Sequence, residues 1–417
     1  MSTEAQLPQP PLRRPAQDLD APFPWPRPPI DPPAVYSWLR AEEPVRRVTL
    51  TGGRPGWLVT RYDDVRAVLA DPRASSDGSL PGYPWLDLPP IPPEQLSFLR
   101  TDPPQHTVFR RLLRKNFLIR RAEALRPRIQ ALVDETLDAM LARTDRPVDL
   151  VDAFALPIPS TVLAWIMGVP SEDRPFFNRA SEELLGGGDP DRPGAAEAAS
   201  AARRRLHDYL GELVAAKGRL ADPGDDILGQ LVAAVRAGTI PEEAVLNAGI
   251  TLLVAGHETT ANMTSLGVLT LLQHPEQRAE LAARPELVPG AVEELLRYLG
   301  IVHLIIVRVA KEDIEIGGTT IPAGEAIIPL NLSGNRDGDH YPDPDRFDIH
   351  RAARDHLAFG FGVHQCLGAP LARIELQIIF ETLLRRVPGL RLAMPESELP
   401  FKLHAPINGL FRLPVTW

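Results

Sequence analysis

The sequence predicts a mainly α-helical fold with small β-sheets (α+β), built as one large domain. Its longest periodic segment, roughly residues 241–273, is apolar nearly all round, as in a helix that runs through a core. Shorter segments with helical periodicity recur on both sides of it. The strand-like segments are few and short, and glycine turns separate them. With 44% hydrophobic residues in 417, the chain can build a single large core.

The composition excludes several classes of protein. A net charge of −9 argues against a general nucleic-acid binder. The sequence has no run of eighteen apolar residues, so we expect no membrane anchor. Residues 1–33 are polar and proline-rich without the apolar core of a secretory signal, so we expect a cytoplasmic protein. We expect them to wrap the surface in extended form, ahead of one domain at 34–417. The single cysteine, Cys366, excludes an intrachain disulfide and a zinc site of several cysteines.

The first part of the domain is predicted to mix short strands with a helix. Residues 45–50 and 56–60 are predicted strands on either side of a two-glycine turn. Residues 62–69 are a predicted short helix. Residues 72–104 contain many prolines and several glycines, which predicts a long irregular loop that is either disordered or functional.

A basic helix is predicted to begin near Asp102. His106 and Arg110 are four residues apart and therefore lie on one helical face. The same helix is predicted to continue through a series of arginines to Arg128, with only Glu123 opposing them. This surface is either an ordinary solvated face or a docking site for an acidic protein.

The long central helix is predicted to be interrupted by polar residues where a buried helix would prefer alanine or leucine. Thr259 can donate a hydrogen bond to the carbonyl of Ala255 and open the helix at that point. The polar run is Ala255-Gly256-His257-Glu258-Thr259-Thr260. Before it, helices are predicted at 129–142, 160–167 and 225–237, with a mobile glycine break at 186–190.

After the long helix, residues 286–299 are predicted to form another helix. Its Glu294 and Arg297 have the spacing of an ion pair, which is usually a surface feature. Residues 301–307, apolar except for His303, are predicted to form a strand before Arg308. Further short strands are predicted at 314–316, 321, 326–330 and within 387–417.

Cys366 lies in a glycine-rich loop just before the predicted start of a helix. The glycines indicate a tight backbone path near something bulky. The free N–H groups and positive dipole of the helix start would favour a thiolate. A lone cysteine is usually a small buried hydrophobe, but a thiolate held by such a loop is a metal ligand or a nucleophile. The loop is Phe359-Gly360-Phe361-Gly362-Val363-His364-Gln365-Cys366-Leu367-Gly368.

This loop resembles the haem-binding signature of the cytochrome P450 family. The motifs described above occur in that family's order between residues 102 and 368. The resemblance implies the P450 fold, with haem b (iron protoporphyrin IX) between the long central helix and the helix after the cysteine. It implies that Cys366 is the axial thiolate ligand of the haem iron. The signature residues implied to bind haem are Phe359, Gly360, His364, Cys366 and Gly368.

The same resemblance implies roles for residues elsewhere in the chain. Glu258 and Thr259 would deliver protons during oxygen activation, in a groove at Ala255 and Gly256. The loop at 72–104 would cover the substrate, and the break at 186–190 would be a lid. The haem propionates would be bound by His106, Arg110, Arg308 and His364. A buried structural network would consist of Glu294, Arg297 and Arg346. An apolar substrate wall would consist of Leu252, Ile301, Ile305 and Ile306.

The activity that this resemblance implies is that of a monooxygenase. It would insert one atom of O₂ into a C–H bond of a mainly apolar small molecule, by hydroxylation or epoxidation, in secondary metabolism. Because the chain has no flavin or iron–sulfur motif, electrons would come from a ferredoxin or flavodoxin with its NAD(P)H-dependent reductase. We expect a monomer. The alternatives are a thiolate–haem enzyme that uses peroxide or couples rings oxidatively, a haem-binding sensor, and a non-haem protein with Cys366 as nucleophile.

Overall fold

The structure is a computed structural model that describes residues 18–86, 92–93, 96–184, 194–403, 405 and 407–417. Helices dominate it, as predicted. In chain order they are α1 (Val35–Glu42), α2 (Tyr62–Ala70), α3 (Gln105–Arg114), α4 (Ile119–Leu141), α5 (Pro157–Met167), α6 (Arg174–Leu184), α7 (Ala195–Arg219), α8 (Ile227–Arg236), α9 (Glu242–Gln273), α10 (Pro275–Ala283), α11 (Val288–Leu299), α12 (Asn331–Gly334) and α13 (Ala369–Arg386).

The strands are short and form small sheets, which confirms the predicted fold class. The largest sheet has the order β1-β2-β8-β5-β3, and it pairs β2 with β8 in parallel and the other neighbours antiparallel. A second sheet has the order β4-β10-β9, and β6 and β7 form a hairpin. The strands are β1 (Val45–Thr49), β2 (Pro55–Val59), β3 (Ala74–Ser75), β4 (Val148–Asp149), β5 (Arg308–Ala310), β6 (Ile314–Ile316), β7 (Thr319–Ile321), β8 (Ala326–Pro329), β9 (Arg391–Leu392) and β10 (Pro414–Thr416).

The long predicted helix is α9, and it lies at the centre of the helical core. Its first turn carries Glu242 and Glu243, which favour the positive end of the helix dipole, and it ends before His274-Pro275. It packs against α5, α7, α8, α11 and α13. A Cβ atom added at Gly267 would overlap the ring of Phe380 on α13. Glycine therefore allows the close approach of α9 to the helix that follows Cys366.

Two predicted elements differ from the structure. Residues 301–307 do not form a strand, because among the described residues only Val302 pairs with another segment, at Ile407, and β5 begins at Arg308. The basic segment is two helices rather than one. Its chain turns through a 3₁₀ turn at Lys115–Phe117, and Leu118 is extended (φ −60°, ψ 143°) before α4 begins.

Residues 18–33, the described part of the predicted surface wrap, are more deeply anchored than that prediction implies. Phe23 and Trp25 are buried in a core cluster with residues of α1 and the large sheet. The backbone N–H of Phe23 donates to the carbonyl of Thr49, the last residue of β1 (2.8 Å). Residues 1–17, the predicted flap at 186–190, and parts of the predicted loop at 72–104 lie outside the described residues. Among the helices that are described, none has the length and apolar content needed to cross a bilayer.

Candidate active site

The cysteine loop has the tight path that its glycines predict. Gly360 and Gly362 have φ values of +68° and +72°, which favour glycine. A Cβ atom at Gly362 would lie 2.5 Å from the carbonyl oxygen of Leu69, at the end of α2. The backbone N–H of Cys366 donates to the carbonyl of Phe359 (2.8 Å), and this bond closes the loop.

The thiol of Cys366 lies just before α13, as predicted, in a mixed electrostatic environment. The N–H groups of Gly368 and Ala369 and the charges of Arg110 and Arg373 favour a thiolate. Burial is the largest effect, however, and it raises the pKa of the thiol above its ordinary value. The prediction that the helix start favours a thiolate is therefore correct in direction but is outweighed.

The side chain of Cys366 nevertheless has substantial accessible surface. Burial nevertheless dominates the pKa of this thiol, so many protein atoms lie around the sulfur. Ala255 is also exposed, although it lies in the middle of the core helix α9. From these two exposed positions we infer an internal space between α9 and the cysteine loop.

A cluster of cationic and imidazole groups, drawn from α3, β5 and the cysteine loop, lies near this space. His106 is 2% exposed, and neither of its ring nitrogens has a hydrogen-bond partner among the described residues. The ring of His364 lies 4.1 Å from that of His106, and its Nε2 is also buried and unpaired. Arg308 is buried, and in the described part of the chain its side chain donates only to the carbonyl of the preceding residue, Val307 (2.8 Å).

The groups of this cluster disfavour each other's charge. Burial and the nearby Arg110 lower the pKa of His106 to about 4. Burial, Arg308 and His106 lower the pKa of His364 to about 3. Burial also lowers the pKa of Arg308 to about 10. Since unpaired buried donors and like charges are costly, this cluster is suited to bind an anionic group.

Arg110 belongs to the same region but already has a protein partner. Its Nη1 donates to the carbonyl of Gln365 (2.8 Å), the residue before Cys366. This contact joins α3 to the cysteine loop. The structure thus brings together the four predicted propionate-binding residues, His106, Arg110, Arg308 and His364, from three distant segments.

The polar run of α9 forms the local hydrogen bond that the sequence predicts. Thr259 Oγ1 donates to the carbonyl of Ala255 (2.8 Å), while α9 stays continuous through this turn. A Cβ atom at Gly256 would meet only Leu163, at an ordinary 3.5 Å. Glu258 is buried and pairs with Lys402, whose Nζ lies 2.7 Å from Glu258 Oε1. No sequence pattern indicates that Lys402 contacts Glu258.

The predicted ion pair on α11 is fully buried rather than a surface pair. Arg297 contacts both carboxylate oxygens of Glu294, at 2.7 and 2.8 Å. The third arginine of this network is Arg351, whose Nε lies 3.2 Å from Glu294 Oε1. The prediction that Arg346 belongs to this network is wrong. Its side chain is 69% exposed beside Asp348, and only its carbonyl oxygen reaches the network.

A second buried network, which the sequence did not suggest, connects α11 to α13. Glu293, next to Glu294, accepts two hydrogen bonds from Arg373, at 2.7 and 2.9 Å. His356 Nε2 lies 3.3 Å from Glu293 Oε2, the oxygen that also accepts from Arg373 Nη2. Burial opposes ionisation of Glu293, yet His356 and Arg373 together hold its pKa down at about 2. The guanidinium of Arg373 also stacks over Phe359, 4.6 Å from the ring centre.

The residues of the predicted apolar wall pack into two separate hydrophobic clusters. Leu252 and Ile301 are buried in the main helical core, and Ile305 packs against it. Ile306 packs instead against a separate cluster that includes residues of β2 and α2. Ile305 and Ile306, although adjacent in sequence, therefore pack against different clusters.

Comparison with known proteins gives this arrangement a family. The sequence model described as Cytochrome P450 matches residues 282–414. Pentalenic acid synthase of Streptomyces avermitilis is 47% identical over 412 residues, which cover 97% of this chain and all of that protein. The chain belongs to the cytochrome P450 family. It is an oxidoreductase of the monooxygenase class that uses haem iron and O₂.

Solved P450 structures share its whole fold. The crystal structure of GfsF superposes with a TM-score of 0.88 at 47% identity, covering 95% of this chain and all of that one. MycCI of Micromonospora griseorubida, described as a mycinamicin VIII C21 methyl hydroxylase, gives a TM-score of 0.83 at 40% identity, covering 95% and 99%. The P450 fold and the P450 resemblance of the sequence are confirmed.

The residues of this P450 fit a haem on two observations. The unpaired nitrogens of His106 and His364, with buried Arg308, offer donors for the two propionates. The thiol of Cys366 is accessible, and a bound metal cation would favour its thiolate form.

Proposed function

We propose that this P450 hydroxylates a C–H bond of a mainly apolar natural product. Cys366 would bind the haem iron, and Glu258 and Thr259 would deliver protons. The observation that carries this proposal is the cluster at the cysteine loop, in which His106 and His364 have buried ring nitrogens without hydrogen-bond partners among the described residues. The names of pentalenic acid synthase and of MycCI, both similar over almost their whole length, support a natural-product substrate.

Each group in this site has a definite chemical contribution. Bound haem would supply the activation of O₂. Arg308 and Arg110 would give charge-assisted hydrogen bonds to the propionates, and His106 and His364 would add N–H donors. Buried Leu252 and Ile301 would keep water from the reacting C–H bond. The Thr259 hydroxyl and the Glu258 carboxylate can both exchange protons, which suits them to a relay.

We further propose that a small acidic redox protein, a ferredoxin or flavodoxin served by an NAD(P)H-dependent reductase, supplies the electrons. The surface formed by Arg111, Arg114 and Arg120, here called the basic surface, is exposed on α3 and the start of α4. Arg110 connects α3 to the cysteine loop, whose Val363 is 57% exposed. A negatively charged partner on the basic surface would therefore lie near Cys366, where electrons are needed.

One experiment tests the iron ligand. The reduced protein with carbon monoxide should have the strongly red-shifted Soret band of thiolate-bound haem, and Cys366→Ala should lose that band. Cys366→Ser is the matched control, because it keeps the side-chain volume while replacing sulfur with oxygen. Retention of the red-shifted band in either variant would refute the assignment of Cys366.

A second experiment tests the reaction. A natural-product library is screened for spectral shifts on binding, and each binding compound is incubated with reductase, ferredoxin, NADPH and ¹⁸O₂. The product should gain one labelled oxygen atom. Product that forms without NADPH on addition of peroxide alone, or that is coupled without gaining oxygen, would favour the peroxide-driven or ring-coupling alternatives.

A further inference from the structure

The carboxylate of the proposed relay is held by a lysine from a distant segment. Lys402 Nζ lies 2.7 Å from Glu258 Oε1 and 3.4 Å from Asn262 Oδ1. Glu258 and Asn262 are four residues apart on α9, so the ammonium group bridges two turns of one helical face. The side chains of Lys402 and Glu258 are only 14% and 12% exposed, so water and salt screen this pair weakly.

The backbone holds Lys402 in this place. A lysine side chain usually extends its ammonium group into water, and partial burial costs hydration energy. Here the N–H of Lys402 donates to the carbonyl of Gly409 (2.9 Å), and Phe401 pairs with Leu410. A Cβ atom at Gly409 would overlap the side chain of Asn262. The lysine loop, defined as residues 401–403 and 407–411, therefore packs directly onto α9.

The lysine loop is also tied to the segment that precedes β5. The N–H of Asn408 donates to the carbonyl of Ile301 (2.8 Å), and Ile407 pairs with Val302. Asn408 is 1% exposed, and neither atom of its amide group has a partner among the described residues. The position of the ammonium group thus depends on a segment that includes the predicted substrate wall.

The two members of the proposed relay have different partners in this structure. Thr259 donates its hydroxyl hydrogen to the carbonyl of Ala255, which its own helix supplies. Glu258 is hydrogen-bonded to Lys402, which the lysine loop supplies. The orientation of the carboxylate is therefore set by Lys402, which fixes the direction from which its oxygens can accept and pass on a proton.

We propose that Lys402 is the positioning residue of the relay, which holds the Glu258 carboxylate in one orientation beside Thr259. This inference rests on the proposed function of Glu258 and Thr259. Without Lys402, the buried carboxylate loses its charged partner and proton delivery becomes disordered. O₂ would then leave as hydrogen peroxide after accepting two electrons and two protons, rather than continuing to accept four of each and forming water.

The competing interpretation is that the pair only ties the lysine loop to α9. A matched ion pair elsewhere in the protein distinguishes the two interpretations. Lys217 Nζ lies 2.7 Å from Asp226 Oδ2, with side chains 13% and 22% exposed, and it connects α7 to the start of α8. Lys217→Met and Lys402→Met therefore remove the same kind of contact, and only one of them touches the relay.

The first measurement is thermal stability. Lys402→Met, Glu258→Gln and the double variant form a cycle, in which the double variant should be more stable than the sum of the single effects predicts. Lys217→Met should lower the melting temperature about as much as Lys402→Met. Additive effects in the cycle would mean that the pair does not form, and the proposal would be overturned.

The second measurement is the peroxide released per NADPH by the haem-loaded enzyme with ferredoxin and reductase, in oxygenated buffer without added substrate. Lys402→Met should raise this ratio roughly two-fold or more. Lys402→Arg, which keeps the cation, and Lys217→Met should stay near the wild-type ratio. A wild-type ratio in Lys402→Met, or an equally raised one in Lys402→Arg, overturns the positioning role.

Two further variants separate this inference from the proposed function. Glu258→Gln and Thr259→Ala should each raise the peroxide ratio if the relay operates as proposed. If both keep the wild-type ratio, the relay itself is refuted. If both raise it while Lys402→Met does not, the relay stands and only the role of Lys402 is refuted.

Discussion

At the residue scale, one buried histidine gives the protein a definite acid sensitivity. His303 is 4% exposed, and its Nε2 lies 2.8 Å from the hydroxyl of Tyr36 on α1. Burial lowers the pKa of His303 to about 3, with a smaller contribution from Arg27. In the unfolded chain an imidazole titrates near its ordinary value of about 6.5. The neutral His303 therefore favours folding fully above about pH 6.5, and this contribution is lost as the pH falls.

We expect the free energy of unfolding to depend less on pH in His303→Gln than in the wild type. Glutamine can hydrogen-bond to Tyr36 but does not titrate. Between about pH 6 and pH 4, the wild type should lose up to about 1.4 kcal/mol more per pH unit than the variant. Urea unfolding at a series of pH values measures this difference. Parallel pH dependences in the two proteins would contradict a neutral buried His303.

A second prediction at this scale concerns the corrected network on α11. Arg351→Gln removes one partner of the buried Glu294 carboxylate, so we expect a loss of about 3 kcal/mol of stability. Arg346→Gln is the control, because its side chain is 69% exposed, and it should change stability by less than about 0.5 kcal/mol. Urea unfolding of both variants tests the assignment. A larger loss of stability in Arg346→Gln than in Arg351→Gln would show that Arg346 belongs to the network.

At the scale of elements, the contact between α9 and α13 joins the helix that carries the polar turn to the helix that follows the cysteine loop. Gly267→Ala would place a methyl group into the ring of Phe380. We expect it to cost about 1–3 kcal/mol through overpacking. Gly211→Ala on α7 is the matched control, since nothing lies within 4 Å of the added atom.

The control should change stability in the opposite direction. Alanine is the better helix former by about 1 kcal/mol, so Gly211→Ala should stabilise the protein. Melting temperatures of the two variants give the comparison. A stabilising Gly267→Ala would mean that α9 and α13 are not in close contact.

Local patterns of sequence explain which elements and contacts could be predicted. The Thr259–Ala255 bond and the Glu294–Arg297 pair follow from helical spacing, and both are present. Lys402 lies 144 residues from Glu258, and Arg351 lies 57 residues from Glu294. No periodicity encodes such pairs, because tertiary packing alone brings them together.

The wrong prediction of a strand at 301–307 has a similar explanation. An apolar run satisfies the composition of a strand, but a strand also needs a neighbour to pair with along its length. Here Val302 pairs with Ile407, and the side chain of His303 is hydrogen-bonded to Tyr36. Regular strand pairing begins at Arg308. Sequence alone does not reveal where the neighbouring strand begins.

At the scale of the whole molecule, a net charge of −9 coexists with a locally positive surface. We expect the rate at which a reduced ferredoxin transfers electrons to the enzyme to fall as ionic strength rises, since salt screens exposed charges beyond about 10 Å at 0.1 M. Arg114→Glu on the basic surface should lower the low-salt rate several-fold.

The control for this prediction is Arg391→Glu in β9, an equally exposed charge that lies outside the basic surface. It should leave the rate unchanged. Stopped-flow reduction at several salt concentrations provides the measurement. Equal effects of the two reversals would show that overall charge, rather than the basic surface, attracts the partner.

The proposed haem ligands come from α3, from β5 and from the loop before α13, and Gly362 of that loop rests on the end of α2. During translation, a ribosome must therefore release nearly the entire polypeptide before these segments can meet. Haem would be captured by the finished chain rather than by a nascent one. In an expression culture, the supply of haem precursor after protein synthesis slows should decide what fraction of the enzyme carries its cofactor.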